Sequence, residues 1–273
     1  MAPGEISVRM EMNYFMGIDI GSSASKVVIV DESGEIVTQK MTAFGTGTTG
    51  PARAVQDALS NAGKSLNDVT YTVVTGYGRV NFQDANEQIS EISCHAKGGF
   101  QQIPSTRTII DIGGQDMKVI QLNSRGNIGQ FVMNDKCAAG TGRFLEVMAR
   151  VLEIEVDNMG AIAEQAGKKV TISNTCTVFA ESEVISQLAS GAVIADIVAG
   201  IHQSVARRAA GLALRLGITD DVTLTGGVAR NAGIVKALSE ELKRRINVPE
   251  WPQFTGALGA ALFAGEKGRS KNK

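Results

Sequence analysis

Two cysteines of this chain stand alone, each in a setting that suits a thiolate. The first lies in Asn134-Asp-Lys-Cys137-Ala-Ala-Gly-Thr-Gly-Arg-Phe144 and the second in Ser173-Asn-Thr-Cys176-Thr-Val-Phe-Ala-Glu-Ser-Glu183. After Cys137 the apolar residues Phe144, Leu145, Met148, Val151 and Leu152 recur at helical spacing. Val178, Phe179, Ile185 and Leu188 do the same after Cys176, with Glu181 and Glu183 early in that helix, where carboxylates suit its positive end. Both cysteines are therefore expected at helix N-termini, where unpaired N–H groups favour the thiolate that metal binding and redox chemistry require. Neither belongs to a CxxC pair, so one chain offers no complete metal site.

A second set of residues suits phosphate chemistry. Phe15–Ile20 is an apolar run carrying Asp19-Ile-Gly21, and 107–112 is another carrying Asp111-Ile-Gly113. Each aspartate is followed by Lys-Val seven residues on (Lys26, Lys118), a turn glycine at fifteen (Gly34, Gly126) and isoleucine at seventeen (Ile36, Ile128). This ungapped register predicts a duplicated three-stranded meander and hence two similar lobes with a ligand between them. Glycine turns after a strand let backbone N–H groups approach phosphates. A strand-end aspartate can hold Mg²⁺ or orient a water. Gly21-Ser-Ser-Ala24 and Gly113-Gly-Gln115 should face each other, with Thr225-Gly-Gly-Val-Ala-Arg-Asn231 as a third surface.

The elements that would position these residues follow from periodicity. Helices are expected at about 52–62, 86–100, 140–152, 156–166, 178–190, 194–216 and 232–245, with strands at 71–75 and 222–225. Small residues line one face of 255–264, which should pack closely on a neighbour. Residues 1–13 read as a disordered lead-in and the basic tail from Lys267 as a frayed end. The lobes are placed at 14–105 and 106–265.

Other features carry less. Gly45-Thr-Gly47-Thr-Thr-Gly50 fits GxGxxG but follows the third strand of an antiparallel meander, so a loop is expected rather than a dinucleotide site. No GxxxxGK[ST] occurs, which excludes a P-loop. His95 beside Cys94 reads as a solvated histidine next to a packed thiol, and His202 as a structural histidine within a helix. A net charge of −1 gives no footprint for nucleic acid. The longest apolar run, 192–201, is too short for a membrane span, and the N-terminus has no signal-peptide core. Three cysteines without paired spacing make no secreted disulfide framework, so a cytoplasmic location is expected.

Taken together, Gly17-Ile-Asp-Ile-Gly-Ser-Ser-Ala-Ser-Lys26, Asp111-Ile-Gly-Gly-Gln-Asp116 and Thr225-Gly-Gly-Val-Ala-Arg-Asn231 resemble the phosphate-1, phosphate-2 and adenosine motifs of the acetate kinase/sugar kinase/Hsp70/actin superfamily. The two cysteine motifs resemble those of the ATP-dependent activators (archerases) of 2-hydroxyacyl-CoA dehydratases, with the BadF/BadG and benzoyl-CoA reductase ATPases as close relatives. The resemblance implies an α/β, actin-like fold of two RNase H-like lobes around a nucleotide cleft, with cluster-binding helices inserted at about 134–190. It implies ATP and Mg²⁺ as ligands. Asp19, Asp111 and Gln115 would serve the metal and the attacking water. Gly21, Ser22, Ser23, Ala24, Lys26, Gly113 and Gly114 would hold phosphates, and Gly226, Gly227 and Asn231 would lie at the adenosine. It further implies one [4Fe–4S] cluster per homodimer, bound by Cys137 and Cys176 of both subunits, because a cubane takes four thiolates. The implied activity is ATP-driven electron transfer from ferredoxin or flavodoxin to a dehydratase. The alternatives are an ATPase subunit of a benzoyl-CoA-reductase-type enzyme, a small-molecule kinase, or a nucleotide switch that only binds partners.

Overall fold

The computed structural model describes residues 12–135, 137–173 and 176–271. The lead-in expected at 1–13 falls almost wholly outside that range, as do the last two residues. Strands β1 (Tyr14–Ile20), β2 (Ser25–Val30) and β3 (Ile36–Thr42) form an antiparallel meander, which β4 (Val69–Thr75) and the short β5 (Glu87–Gln88) extend in parallel. Later in the chain β6 (Thr108–Ile112), β7 (Met117–Leu122) and β8 (Ile128–Asn134) repeat the meander, extended by β9 (Val222–Thr225) and β10 (Ile246–Asn247). The sheet orders, β3-β2-β1-β4-β5 and β10-β9-β6-β7-β8, are the same topology, as the duplicated sequence register predicts.

Both faces of each sheet are covered, so the central strands read as continuous apolar runs rather than alternating ones. In β1, Tyr14, Met16, Ile18 and Ile20 point to a core shared with helix α1 (Gly50–Ala62). Phe15, on the opposite face, meets the C-terminal helix α8 (Thr255–Lys271). In the second sheet, Ile110, Ile112, Met117 and Val119 face a helical layer. That layer comprises α3 (Gly142–Val151), α4 (Met159–Ala163), α5 (Thr177–Ala189), α6 (Ile194–Leu216) and α7 (Ala232–Leu242). The opposite face, through Ile109, Ile120 and Leu122, is covered by α2 (Glu91–Gln102).

Several boundaries differ from the periodicity reading. The helix expected from about Asn86 starts only at Glu91, because 87–88 pair with β4 and Ser90 caps the helix by accepting from the Ser93 N–H. The 156–166 helix shrinks to α4 and a preceding turn. α7 stops at Leu242, where Lys243 turns left-handed at φ 53°, ahead of β10. The end expected to fray at Lys267 instead continues as helix to Lys271, tied by Lys267 to Glu87 and by Arg269 to the Glu32 carbonyl.

Candidate active site

β1 and β6 carry their aspartates to corresponding places. Asp19 stands opposite Lys26 across the β1–β2 pair, and Asp111 opposite Lys118 across β6–β7. The lysine Nζ lies 3.4 Å from the aspartate Oδ2 in both. The seven-residue spacing seen in the sequence is therefore a cross-strand ion pair, made twice. A third strand repeats as well. Thr75 neighbours Asp19 on β4, and Thr225 neighbours Asp111 on β9. A glycine follows each threonine at nearly the same left-handed angle, Gly76 at φ 87° and Gly226 at φ 86°. At Gly226 an added Cβ would strike the Ile112 carbonyl, so only glycine lets this turn cross the end of β6.

Between the lobes lies a cavity of about 500 Å³. Asp19, Gly21, Ser22, Ser23, Ala24, Lys26, Asp111, Gly113, Gly114, Gln115, Gly226, Gly227 and Asn231 all line it. The two glycine turns meet directly, since a Cβ on Gly114 would collide with the Ser23 side chain. The GxGxxG segment is a loop that braces the first turn, with the Thr46 N–H donating to the Gly21 carbonyl at 2.9 Å. Asn231 caps α7 by accepting from the Ile234 N–H, and its amide nitrogen lies 3.2 Å from His202 Nε2. His202 is buried, as a structural histidine should be, and burial lowers its pKa to about 4.

The two aspartates are not held equally. Asp111 Oδ1 accepts from the Thr225 hydroxyl at 2.7 Å and lies 3.3 Å from His95 Nδ1. The corresponding Thr75 hydroxyl makes no hydrogen bond to Asp19 among the described residues. Lys118 contacts Asp116, and Glu91 lies 3.8 Å from it. Burial alone would raise the Asp111 carboxyl, but the charges of His95 and Lys118 and the Thr225 bond bring it well below the usual carboxylate range. Burial would likewise lower Lys118, yet Asp111, Asp116 and Glu91 hold it above the ordinary lysine value. Glu91 is pushed up by burial. These groups set three carboxylates against one lysine and one histidine on the cleft floor, a network able to take a cationic metal.

His95 corrects the sequence reading. It is buried, not solvated, and it lines the cavity. Burial is the largest single influence and opposes its protonation, but the Asp111 carboxylate and the Asp19 charge together outweigh it, and its pKa is raised. Its approach to Asp111 lacks hydrogen-bond alignment, so the contact is one of charge and packing. Thr75, Gly76, Glu91, Asp116 and Lys118 also line or brace this floor without having been singled out as site residues. Lys118 was legible as the partner of Asp111 at the spacing of Lys26. The Thr-Gly repeat was hidden because the two halves space it differently: four α-helices intervene between β8 and β9 but only one between β3 and β4.

The cysteines lie outside the cavity lining. Cys176 is the N-cap of α5, as expected. Cys137 is not at a helix start: it lies in a loop ahead of Thr141, which is the N-cap of α3, so the helix-terminus argument applies to one cysteine only. Both are half-buried, whereas Cys94 is fully buried and burial pushes its thiol up to about 12. The Cys137 loop is nevertheless tied to the second glycine turn. The Gly142 and Arg143 N–H groups donate to the Gly113 and Gly114 carbonyls at 2.9 and 2.8 Å. The Thr141 hydroxyl lies 3.0 Å from the Gly114 carbonyl and 2.6 Å from that of Ala138. Among the described residues no three His, Cys, Asp or Glu side chains gather into a metal-holding group, and no helix is long and apolar enough to cross a membrane.

The profile of the BadF/BadG/BcrA/BcrD ATPase family matches residues 16–264. A relative from Anaerotignum propionicum, an activator of lactoyl-CoA dehydratase, is 57% identical over 258 residues, spanning 94% of this chain and 100% of that one. The solved structure of the activator of the 2-hydroxyisocaproyl-CoA dehydratase from Clostridium difficile, with bound ADPNP, superposes with a TM-score of 0.93 at 54% identity, covering 95% of this chain and 97% of that one. A glucokinase from Streptomyces griseus reaches a TM-score of 0.59 at 13% identity, covering 93% of this chain and 100% of that one, a likeness of fold alone.

Proposed function

Because this chain belongs to the BadF/BadG/BcrA/BcrD ATPase family, we propose that it is an ATP-dependent activator of a 2-hydroxyacyl-CoA dehydratase, delivering single electrons to that partner as ATP is hydrolysed. The names of its relatives support the partner class. The observation that carries the coupling is the bonding of the Cys137 loop to the Gly113-Gly114 turn through Thr141, Gly142 and Arg143. A turn that cradles phosphate cannot rearrange between ATP and ADP without moving what is bonded to it.

In the cleft, Asp19 and Asp111 would serve Mg²⁺ and the attacking water, with Gln115 beside them. The turns at Gly21–Ala24 and Gly113–Gly114, with Lys26, would hold the phosphates, and Gly226, Gly227 and Asn231 would meet the nucleoside. Outside it, Cys137 and Cys176 would be the thiolate ligands of a [4Fe–4S] cluster. The donor set fits half of such a group: two half-buried cysteines per chain, where four thiolates are needed. A second copy of this chain would supply the rest. Val178 and Phe179, 67% and 69% exposed beside Cys176, suit a surface that a second copy covers. The cluster would supply a one-electron carrier, reduced by a ferredoxin or flavodoxin. The inserted helices at about 134–190 would then belong to the second lobe, 106–265, and the cytoplasm would be the compartment.

The test is anaerobic. Reduced ferredoxin, Mg-ATP and the chain should together activate a purified 2-hydroxyacyl-CoA dehydratase, and omission of ATP should abolish activation. Asp111→Asn should lose both hydrolysis and activation. Activation without ATP, or an Asp111→Asn variant hydrolysing at the wild-type rate, would overturn the reading.

A further inference from the structure

The lobe duplication extends to the helices that roof the cleft floor. A Cβ on Gly98 of α2 would strike the Thr255 carbonyl of α8, and a Cβ on Gly259 of α8 would strike the Cys94 carbonyl of α2. Each contact spans one helical turn in mirrored order, so Cys94 corresponds to Thr255, Gly98 to Gly259, and between them His95 to Gly256. The alanines that follow, Ala96 and Ala257, correspond as well. The helices also trade sheets: α2 ends the first half but packs on the second sheet, and α8 ends the second half but packs on the first. His95 therefore stands over Asp111, while its counterpart Gly256 stands over Asp19. A Cβ there would be 3.2 Å from Asp19 Oδ2 and 2.9 Å from His95 Nε2. At this one level the duplicated frame holds an imidazole on one side and, on the other, a glycine whose Cβ would crowd both Asp19 and His95.

We infer that His95 is a positioning residue for Asp111, and that the His95/Gly256 difference is what makes one aspartate of the duplicated pair fixed and leaves the other adjustable. Asp111 is fixed at three points, by Thr225 at 2.7 Å, His95 at 3.3 Å and Lys118 at 3.4 Å. Among the described residues, Asp19 has one ion-pair partner, Lys26 at 3.4 Å. A carboxylate that orients a water gains from being held before the nucleotide arrives, since misplacement by about 1 Å can cost on the order of 100-fold in rate. A carboxylate that follows a metal between nucleotide states gains from freedom. Gly256 gives Asp19 that freedom, because any side chain would enter the space that Asp19 and His95 share.

This inference rests on the cleft being an ATPase site, and the experiment separates the two. His95→Ala, His95→Asn and His95→Gln are compared for steady-state hydrolysis, for ADP affinity by calorimetry and for melting temperature. Asparagine places an N–H near the Nδ1 position; glutamine reaches towards Nε2. His95→Ala should lower kcat by roughly tenfold or more, the equivalent of a lost contact to a charged group, with KM for Mg-ATP and ADP affinity within about threefold of wild type. His95→Asn, which keeps polar bulk near the Nδ1 position but no charge, should recover part of that loss, and His95→Gln should recover less. Should His95→Ala fail to fold, the Asn and Gln pair carries the comparison. A folded His95→Asn as slow as His95→Gln, or a loss confined to KM and ADP affinity, overturns the positioning role. A wild-type chain that binds nucleotide but never hydrolyses it overturns the ATPase reading and this inference with it.

Discussion

His202 shows how a residue outside the chemistry sets a pH limit. Its Nε2 faces the Asn231 amide, and burial lowers its pKa from 6.5 to about 4. The unfolded chain therefore binds a proton that the folded chain refuses between those values, and stability falls as pH drops through that window. From pH 6.5 to 5 this single group should cost about 2 kcal/mol, at about 1.4 kcal/mol per pKa unit. His95, the other histidine, is raised rather than lowered, so its contribution does not fall as pH drops and it does not share in the loss. Urea unfolding of wild type and His202→Gln at pH 7 and pH 5 should show the variant losing less stability by about that amount. Equal losses would mean that His202 is solvated in solution. The sequence marked His202 as structural and misread His95. Both lie on helices, and neighbouring residues on a helix do diverge, which places Cys94 and His95 on different faces. It does not say that α2 is enclosed on both by α8 and by the second sheet. That depends on partners far along the chain.

At the scale of elements, glycine spacing decides how closely α2 and α8 approach, and through that where His95 and Gly256 sit. The small-residue face of 255–264 was legible because it needs only a helical period to recognise, but its partner was not. Gly98 and Gly259 find each other only once the chain has closed both sheets. Gly259→Ala puts a methyl onto the Cys94 carbonyl. The helices must separate, at a cost of about 1–3 kcal/mol by analogy with overpacked cores. The melting temperature should fall by several degrees, at roughly 2–4 °C per kcal/mol for chains of 150–250 residues. Gly211→Ala on α6 is the control, because it meets nothing within 4 Å and removes a helix-interior glycine, which is neutral or mildly stabilising. If the two variants melt alike, the close approach is not what holds α2 in place. Short strands such as β5 and β10 escaped the sequence for a simpler reason: two residues carry no period.

At the scale of the whole molecule, two in-register Asp-Ile-Gly meanders disclosed both sheets and the cleft, because the antiparallel hairpins keep sequence neighbours together. The motifs singled out Cys137 and Cys176 as candidates, while the helix start at Gly142 was not legible, since the intervening Ala138–Thr141 turn belongs to neither period. On the proposed reading, Cys137 and Cys176 would complete their site only in an assembly. Two thiolate ligands from one chain leave a four-thiolate shell half made, and closed two-fold dimers are the commonest symmetric solution. Cys94 cannot contribute: it is buried beneath α8, and its thiol is pushed up to about 12, which disfavours the thiolate that a metal needs. Cys94→Ser, Cys137→Ser and Cys176→Ser, purified without oxygen, should therefore separate cleanly by iron content and by mass in solution. Wild type and Cys94→Ser should hold about four irons per dimer, the cubane stoichiometry. Cys137→Ser and Cys176→Ser should lose iron while still binding ADP, because both cysteines lie outside the nucleotide cavity. One full cluster per monomer, or iron lost from Cys94→Ser alone, would exclude a cluster shared between two copies.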